Sequence, residues 1–305
     1  MIENTLFKNE KTWEKFVRNI ANWKYDWGYN GDYDKAEADI NELIKKADSG
    51  DCESQLKLGN MLCFSRLNPK ARKYFRMAAD QGNVQAMFQL AKVYFYDDKK
   101  LDDAIKYFQM AAENGHAEAA DLLGGIYRRN CKDYDEAVKW YRVSADLGNT
   151  DGMYHLGLTL CNHYGEEQRE EAYKFVRMSA DAGNSDGQYL LGAMHNQDGD
   201  FDGALEYLTL SADQNNCSAM KFLGNIFRDK GDFEEAFLWY DRADNHYDAE
   251  GSFLAGQMLV KLGQLKKSVK YFKEAAKKGI NGADTELQNI LQMIENGEDT
   301  SAADY

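Results

Sequence analysis

The residues with the most chemical reach in this 305-residue chain are His155, Cys161, His163 and His195, side chains of the types that ligate zinc or relay protons. Zinc sites draw on closely spaced ligand pairs, whereas His155 and Cys161 stand six residues apart, which turns them to different faces of one helix. No His-Glu-x-x-His, Cys-x-x-Cys, glycine-rich phosphate loop or nucleophile elbow occurs, and carboxylates are too many for any pair to stand out. The expectation is therefore a non-enzymatic chain with no catalytic residue, no metal and no cofactor. The five cysteines, Cys52, Cys63, Cys131, Cys161 and Cys217, share no phase. Cys52 and Cys63 fall on one expected helix about 16 Å apart, too far for a disulfide, so all five read as free thiols of a reducing compartment. Asn216-Cys217-Ser218 matches a glycosylation acceptor, but the N-terminus lacks the basic start and apolar core of a secretory signal, and no apolar run reaches the ~18 residues of a membrane span. A cytoplasmic location is expected.

The elements that would position any site follow from a repeated phrase. A small pair, two further residues and a Gly or Asn recur, as in Ala78-Ala79-Asp80-Gln81-Gly82, with closing residues at Gly50, Gly82, Gly115, Gly148, Gly183, Asn215, Tyr247 and Gly279. The intervals are 32, 33, 33, 35, 32, 32 and 32 residues, which makes seven units. A second phrase keeps step: Leu58-Gly59, Leu90-Ala91, Leu123-Gly124, Leu156-Gly157, Leu191-Gly192, Leu223-Gly224 and Ala255-Gly256.

Each unit resolves into two helices. In the sixth, Ala219, Phe222, Leu223, Ile226 and Phe227 form one apolar stripe, and after Asp229-Lys230-Gly231-Asp232 the residues Phe233, Ala236, Phe237, Tyr240 and Ala243 form another. Small residues in two phases, Ala86 to Ala283 and Ala71 to Ser268, let neighbouring helices close to about 8 Å. Phe75, Phe108, Tyr141, Tyr240 and Phe272 fill the space between them. The closing Gly or Asn suits the left-handed residue that ends many helices. The fold class is all-α, an α/α superhelix (solenoid) of seven helix-turn-helix repeats with terminal capping helices.

The frame small-Leu-Gly, aromatic, Ala, aromatic, Ala-Ala-x-x-Gly-Asn, running from Cys52 to Gly279, resembles the Sel1-like repeats, relatives of the tetratricopeptide repeat. Gly59 to Ala71, Gly192 to Ala204, Gly224 to Ala236 and Gly256 to Ser268 each span only twelve residues, a tetratricopeptide-like turn, so the array resembles a short-turn Sel1 variant. The resemblance implies an adaptor or scaffold that binds other proteins.

Residues 1–50 are expected as N-terminal capping helices, 51–279 as the seven repeats, 280–296 as a C-terminal capping helix and 297–305 as an acidic tail. One elongated domain is the count. Trp13, Phe16, Val17, Ile20, Trp23 and Trp27 make the first cap's stripe, with a docking patch as the other reading. Ala283, Leu287, Ile290, Leu291 and Ile294 make the last helix.

If the first helix of each pair lines the inner curve, the position three before each Leu-Gly glycine offers Phe88, Tyr154, Tyr189, Lys221 and Phe253, and the position four after it offers Phe95, Arg128 and Arg228. These eight are the expected partner-binding residues, a composition suited to a protein or peptide segment; the first of the two positions reads equally as core. The net charge of −14 disfavours nucleic acid, and no membrane partner is expected. It also motivates the alternative of an acidic stoichiometric inhibitor or immunity-type protein that neutralises a basic enzyme. Lys261, Lys266, Lys267, Lys270, Lys273, Lys277 and Lys278 run the other way in the last unit, either as a solvated face or as a site for an acidic partner. The array is expected to be least regular around Asn215, Tyr247 and the fourth unit's long turn, Asn162 to Arg169.

Overall fold

Each stripe folds as a helix in the computed structural model, which describes residues 6–7, 10–23, 27–97, 99–245 and 248–298. Among the described residues the chain is all helical, with no strand. Two helices precede the repeats, α1 (Glu10–Ala21) and α2 (Tyr33–Asp48). The repeat pairs are α3 (Cys52–Phe64) with α4 (Asn68–Asp80), α5 (Val84–Lys92) with α6 (Leu101–Glu113), α7 (Ala117–Ile126) with α8 (Tyr134–Asp146), and α9 (Thr150–His163) with α10 (Arg169–Asp181). Then come α11 (Ser185–Gln197) with α12 (Phe201–Asp213), α13 (Cys217–Asp229) with α14 (Phe233–Asn245), and α15 (Ala249–Lys261) with α16 (Leu265–Lys277), closed by α17 (Ala283–Glu295). Where one elongated domain was expected, the contacts divide the chain into two compact units, Met1–Gly152 and Met153–Tyr305.

Within each unit a pair begins at a polar cap. Asp51, Asn83, His116, Asn149, Asn184, Asn216 and Asp248 each precede a first helix and accept, through the side chain, the N–H three residues on, at 2.7 to 3.2 Å. Such a cap stabilises a helix by about 1 kcal/mol. The joint just before it is left-handed, as the closing residue's type implies: φ is +85° at Gly183 and +68° at Asn215. Asn215 donates its N–H to Ala212 at 2.9 Å, the same geometry as Gly183 to Ala180, so this joint is as regular as its glycine counterparts. Tyr247 lies outside the described residues.

The small residues meet the rings across each pair. A Cβ at Gly59 would fall 2.4 Å from the Phe75 ring, and one at Gly224 would fall 2.5 Å from Tyr240. Consecutive second helices are tied by polar bonds at their ends: the Tyr74 hydroxyl donates to Asp48 at 3.0 Å and Tyr271 to Asp241 at 2.6 Å. Glutamine pairs, Gln81 to Gln55 at 2.7 Å and Gln214 to Gln188 at 2.8 Å, recur at equivalent joints.

Unit 1 has one continuous core from Phe16 through Tyr74, Phe75 and Phe108 to Trp140, and α1 buries Phe16, Val17 and Ile20 against it. The cap's stripe stops there. Trp23 and Trp27 lie beyond the end of α1, Trp23 is 38 % exposed, and its ring lies tilted against Phe64 with the centroids 4.2 Å apart. Unit 2 divides its core into smaller clusters, for example around Val176 and Leu191, Leu208 and Leu223, and Phe272 and Ile290. There Lys278 is drawn inward to Asp244 at 2.9 Å, while Lys266, Lys267, Lys270, Lys273 and Lys277 stay exposed.

The turn inside each pair also passes through a left-handed residue, five positions before the small residue of the second helix in all but the fourth, where it is Gly165, seven before Ala172. It is glycine in three repeats of unit 2, Gly199, Gly231 and Gly263. In the three repeats of unit 1 it is Arg66, Lys99 and Lys132, at φ +58°, +52° and +57°, a conformation that costs a residue with a side chain about 1–2 kcal/mol.

Candidate functional site

The second and third repeats carry one residue more than the first between the small residue of the first helix and the alanine of the second. That residue is absorbed as a π-helical turn at the end of the first helix, Val93–Asp97 after α5 and Tyr127–Cys131 after α7. The closing bonds show the slippage. Leu67 donates five residues back to Leu62, at 2.8 Å, whereas Lys100 and Asp133 reach six back, to Tyr94 and Tyr127, at 2.9 and 3.0 Å. Inserted turns of this kind re-aim side chains and recur at functional sites. The fourth repeat, longer still, places a 3-10 segment, Gly165–Gln168, in the turn expected to be longest.

Phe95 and Arg128 sit in these two π turns, one repeat apart. Phe95 is half-buried and meets Tyr96 edge to face at 4.9 Å, while Tyr96 itself is 57 % exposed. Arg128 is half-buried, with its Nε enclosed and lacking a hydrogen-bond partner. It lies beside Tyr141, whose hydroxyl is pushed up by burial against the opposing pull of that guanidinium. A hollow of about 540 Å³ opens beside the first π turn, lined by Cys63, Arg66, Asn68, Gln89, Lys92, Val93, Tyr96 and Asp97. Burial, with the Asp97 charge adding and Lys92 opposing, pushes the Cys63 thiol up to about 11. It is therefore protonated at neutral pH and contributes volume rather than a nucleophile.

Phe88 is turned the other way. It is 2 % exposed, stacked on His116 at 4.2 Å and edge-on to Phe108 at 6.0 Å, so of the two readings of its position the structure shows core packing. His116 caps α7 through Nδ1, with Nε2 3.1 Å from Gln85 Oε1. Accepting at Nδ1 assigns the remaining proton to Nε2, and burial lowers the ring's pKa.

In unit 2 the expected residues are drawn into internal bonds. The Lys221 ammonium lies 3.0 Å from Asp248 and 2.7 Å from Glu250, which belong to the next repeat; burial, which alone would lower its pKa, is outweighed by these bonds and the pKa rises. Arg228 pairs with its neighbour Asp229 at 2.9 Å. Phe253 meets Phe272 edge to face at 5.7 Å, and Tyr189 meets Phe222 at 6.1 Å. Tyr154 is half-buried, 5.1 Å from the His155 ring. The sequence reading missed Phe64 and Tyr96, exposed aromatics of unit 1, together with the left-handed cations, whereas Trp23 was named in the N-terminal stripe that it also read as a docking patch. Phe64 and Tyr96 share one phase, five after the small residue, a position next to the one that the reading chose.

Comparisons with known proteins bear on the whole chain. The Sel1 repeat matches residues 52–83, 150–184, 185–216 and 218–243, and the tetratricopeptide repeat matches 88–152 and 249–277. A protective antigen present in uropathogenic Escherichia coli strains, displaying an SLR fold, is similar over 94% of this chain at 25% identity and TM-score 0.68, and this chain spans 65% of that protein. A Sel1 repeat protein from Oxalobacter formigenes shares the fold over 68% of this chain and 99% of its own, at 23% identity and TM-score 0.55. Yeast Tom70 does so over 98% of this chain and 66% of its own, at 14% identity and TM-score 0.53. No curated protein sequence matches the chain.

Proposed function

The chain is a Sel1-like repeat protein related to the tetratricopeptide-repeat proteins, an all-α helical-repeat solenoid, and we propose that it is a non-enzymatic adaptor whose unit 1 holds a segment of another protein. One observation carries this reading: the π turns of the second and third repeats carry Phe95, Tyr96 and Arg128, of which Tyr96 is exposed and lines a hollow of about 540 Å³. Aromatic and guanidinium groups on a preformed surface bind with little ordering cost. Phe88, Tyr154, Tyr189, Lys221, Arg228 and Phe253, also expected to face a partner, serve packing or internal ion pairs to the extent described above. The test is a partner recovered from the native cell and measured by calorimetry against a Phe95→Ala, Arg128→Ala double variant that keeps the parent's helical circular dichroism and Tm. Binding weakened tenfold or more supports the assignment, and unchanged affinity removes it.

The net charge of −14 supports a second reading, an acidic inhibitor of a basic enzyme. It requires association that weakens steeply between low and high salt, whereas affinity indifferent to salt counts against it.

A further inference from the structure

Between Ser54 and Ala79 the chain has no Asp or Glu, yet it has Lys57, Arg66, Lys70, Arg72, Lys73 and Arg76, against a net charge of −14 for the whole. The middle of this stretch, where α3 turns into α4, forms one wall of a hollow of about 320 Å³ whose other wall is α1. Lys11, Thr12, Lys15 and Asn19 line it from α1, around buried Phe16, with Ser65 and Leu67 opposite. Among the described residues no carboxylate lines it. At about 100° per residue, Glu10 and Glu14 point roughly 180° and 140° away from Asn19 around α1. Glu14 acts instead on Tyr33 of α2, whose hydroxyl is pushed up by burial and then by the Glu37 and Glu14 charges. Glu37 itself accepts the Trp13 indole N–H at 2.7 Å.

The donors define what fits. Lys11 and Lys15 are exposed and stand one helical turn apart, with Cβ atoms about 6 Å from each other, so that their ammoniums can converge on one anion. Thr12 and Asn19 add a hydroxyl and an amide along the same side of α1. The Ser65 hydroxyl is enclosed and has no hydrogen-bond partner among the described residues, which leaves an unanswered donor in the opposite wall. Leu67 precedes α4 as an N-cap that makes no side-chain bond, and the first turn of α4 has no acid, so the positive end of that helix is open to an anion. A carboxylate brings one charge and two oxygens, whereas a phosphate monoester brings about −1.5 to −2 at pH 7 and three acceptor oxygens. Two ammoniums and several neutral donors around one hollow match the phosphate. Both walls also lead to one aromatic pair. Trp23 comes one turn after Asn19, its N–H reaching Ile20 at 3.3 Å, and Phe64 directly precedes Ser65. The two rings, both exposed, have centroids 4.2 Å apart and offer an apolar rest beside the phosphate. Bases stack on such rings too, but the negative charge of the body opposes a polyanion.

We infer that this hollow binds a phosphorylated serine or threonine in a segment of a partner protein. Lys11 and Lys15 take the phosphate, with Thr12, Asn19 and Ser65 as further donors, and an apolar neighbour of the phosphorylated residue rests on Trp23 and Phe64. This rests on the reading of unit 1 as a protein-binding module and adds a second contact with its own chemistry, dependent on phosphorylation of the partner.

The probe is a fluorescein-labelled heptapeptide, Gly-Leu-Gly-phosphoserine-Gly-Leu-Gly, read by fluorescence anisotropy against the full chain at physiological salt. Three controls accompany it: the same peptide with Ser at its centre, with Glu at its centre, and with phosphoserine but Gly in place of both Leu. The inference expects the probe to bind at least tenfold tighter than the Ser and Glu peptides and at least threefold tighter than the one without Leu. A Lys11→Gln, Lys15→Gln variant changes two exposed side chains; it should lose tenfold or more of that affinity with the parent's circular dichroism and Tm. Equal binding by parent and variant overturns the site, and a Glu peptide that binds as well as the probe overturns the phosphate. Inorganic phosphate that displaces the probe at its own concentration, or a peptide without Leu that binds equally, reassigns the hollow to free phosphate and overturns the partner segment. A twelve-nucleotide poly(dT) that binds more tightly than the probe and is lost in the variant reassigns it to nucleic acid. If the native partner loses affinity in the Phe95→Ala, Arg128→Ala variant but keeps it in the lysine variant and after phosphatase treatment, the proposed site stands and this inference falls. If the probe does not bind the parent, the inference falls without touching binding of the native partner to the π turns.

Discussion

The fit of glycine against ring is the most exacting statement the structure makes about this array, and two substitutions in unit 2 measure it. At Gly224 an added Cβ falls 2.5, 2.7 and 2.8 Å from three atoms of the Tyr240 ring. That ring is fully buried and held by its hydroxyl, which donates to Asn225 at 2.7 Å, so it cannot swing away freely. At Gly256 the nearest atoms of Phe272 are 3.1 and 3.2 Å away, and a few tenths of an ångström of movement suffice. Alanine gains about 1 kcal/mol over glycine in a helix interior. At Gly224 this is set against about 1–3 kcal/mol of overpacking and about 1 kcal/mol if the Asn225 bond is lost. Gly224→Ala is therefore expected to destabilise by up to about 3 kcal/mol, and Gly256→Ala to be neutral or to stabilise by up to about 1 kcal/mol. The assay is urea unfolding followed by far-UV circular dichroism, with m compared between variants because repeat arrays can lose cooperativity. With m of about 2 kcal/mol/M, the two midpoints should separate by about 1 M, in opposite directions from the parent or nearly so. Midpoints shifted together by the same amount would show that helix propensity alone governs these positions and that the rings impose no constraint.

The His116 cap makes unit 1 sensitive to acid. Burial favours the neutral ring, so the folded pKa lies below the unfolded value of about 6.5; the stabilisation is present above that value and is lost as pH falls through the lower folded pKa. His116→Asn, which copies Asn83, should flatten the dependence of Tm on pH below about 6.5, and a parent whose Tm is level across that range would remove the cap from consideration. Tyr271→Phe deletes a buried donor to the Asp241 carboxylate, and Tyr240→Phe one to the Asn225 amide. Chemical denaturation should show about 1.5–3 kcal/mol lost for the first and about 1 kcal/mol for the second, and the reverse order would contradict the bonding described.

Most of the fold was legible because packing writes itself into a period. The joint at Asn215 illustrates how far this goes: the sequence shows only that Gly has been replaced, yet the left-handed geometry follows, since Asn tolerates it better than most residues. The expectation of irregularity at that joint failed for the same reason. Irregularity appears where the count of residues changes: at the fourth unit's long turn, which carries a 3-10 segment, and at the π turns of the second and third repeats, which the intervals of 33 already announced. What the intervals do not say is how a helix absorbs one residue. The π turn leaves Phe95 half-buried and Tyr96 exposed, the same pattern that Cys63 and Phe64 show in the first repeat. The left-handed cations were equally visible as letters, but Lys99 at a turn looks ordinary until its φ is known and the turns are aligned with Gly199, Gly231 and Gly263.

Lys221 shows the converse case and a way to test it. As a cation on a first helix amid aromatics it read as a partner contact, because sequence reveals charge but not which charges are already answered. Its ammonium lies between Asp248 and Glu250, and Asp248 is itself the cap of α15, accepting the Gly251 N–H at 2.8 Å. Lys221→Met would leave that carboxylate, little exposed, without its countercharge, while the methionine preserves most of the stem's packing. The cost should be about 1–2 kcal/mol in the stability of unit 2, more than a surface pair would show, and binding through unit 1 should be unchanged. A Lys221→Met protein with parental stability and lost binding would restore the residue to the partner surface and place the site in unit 2.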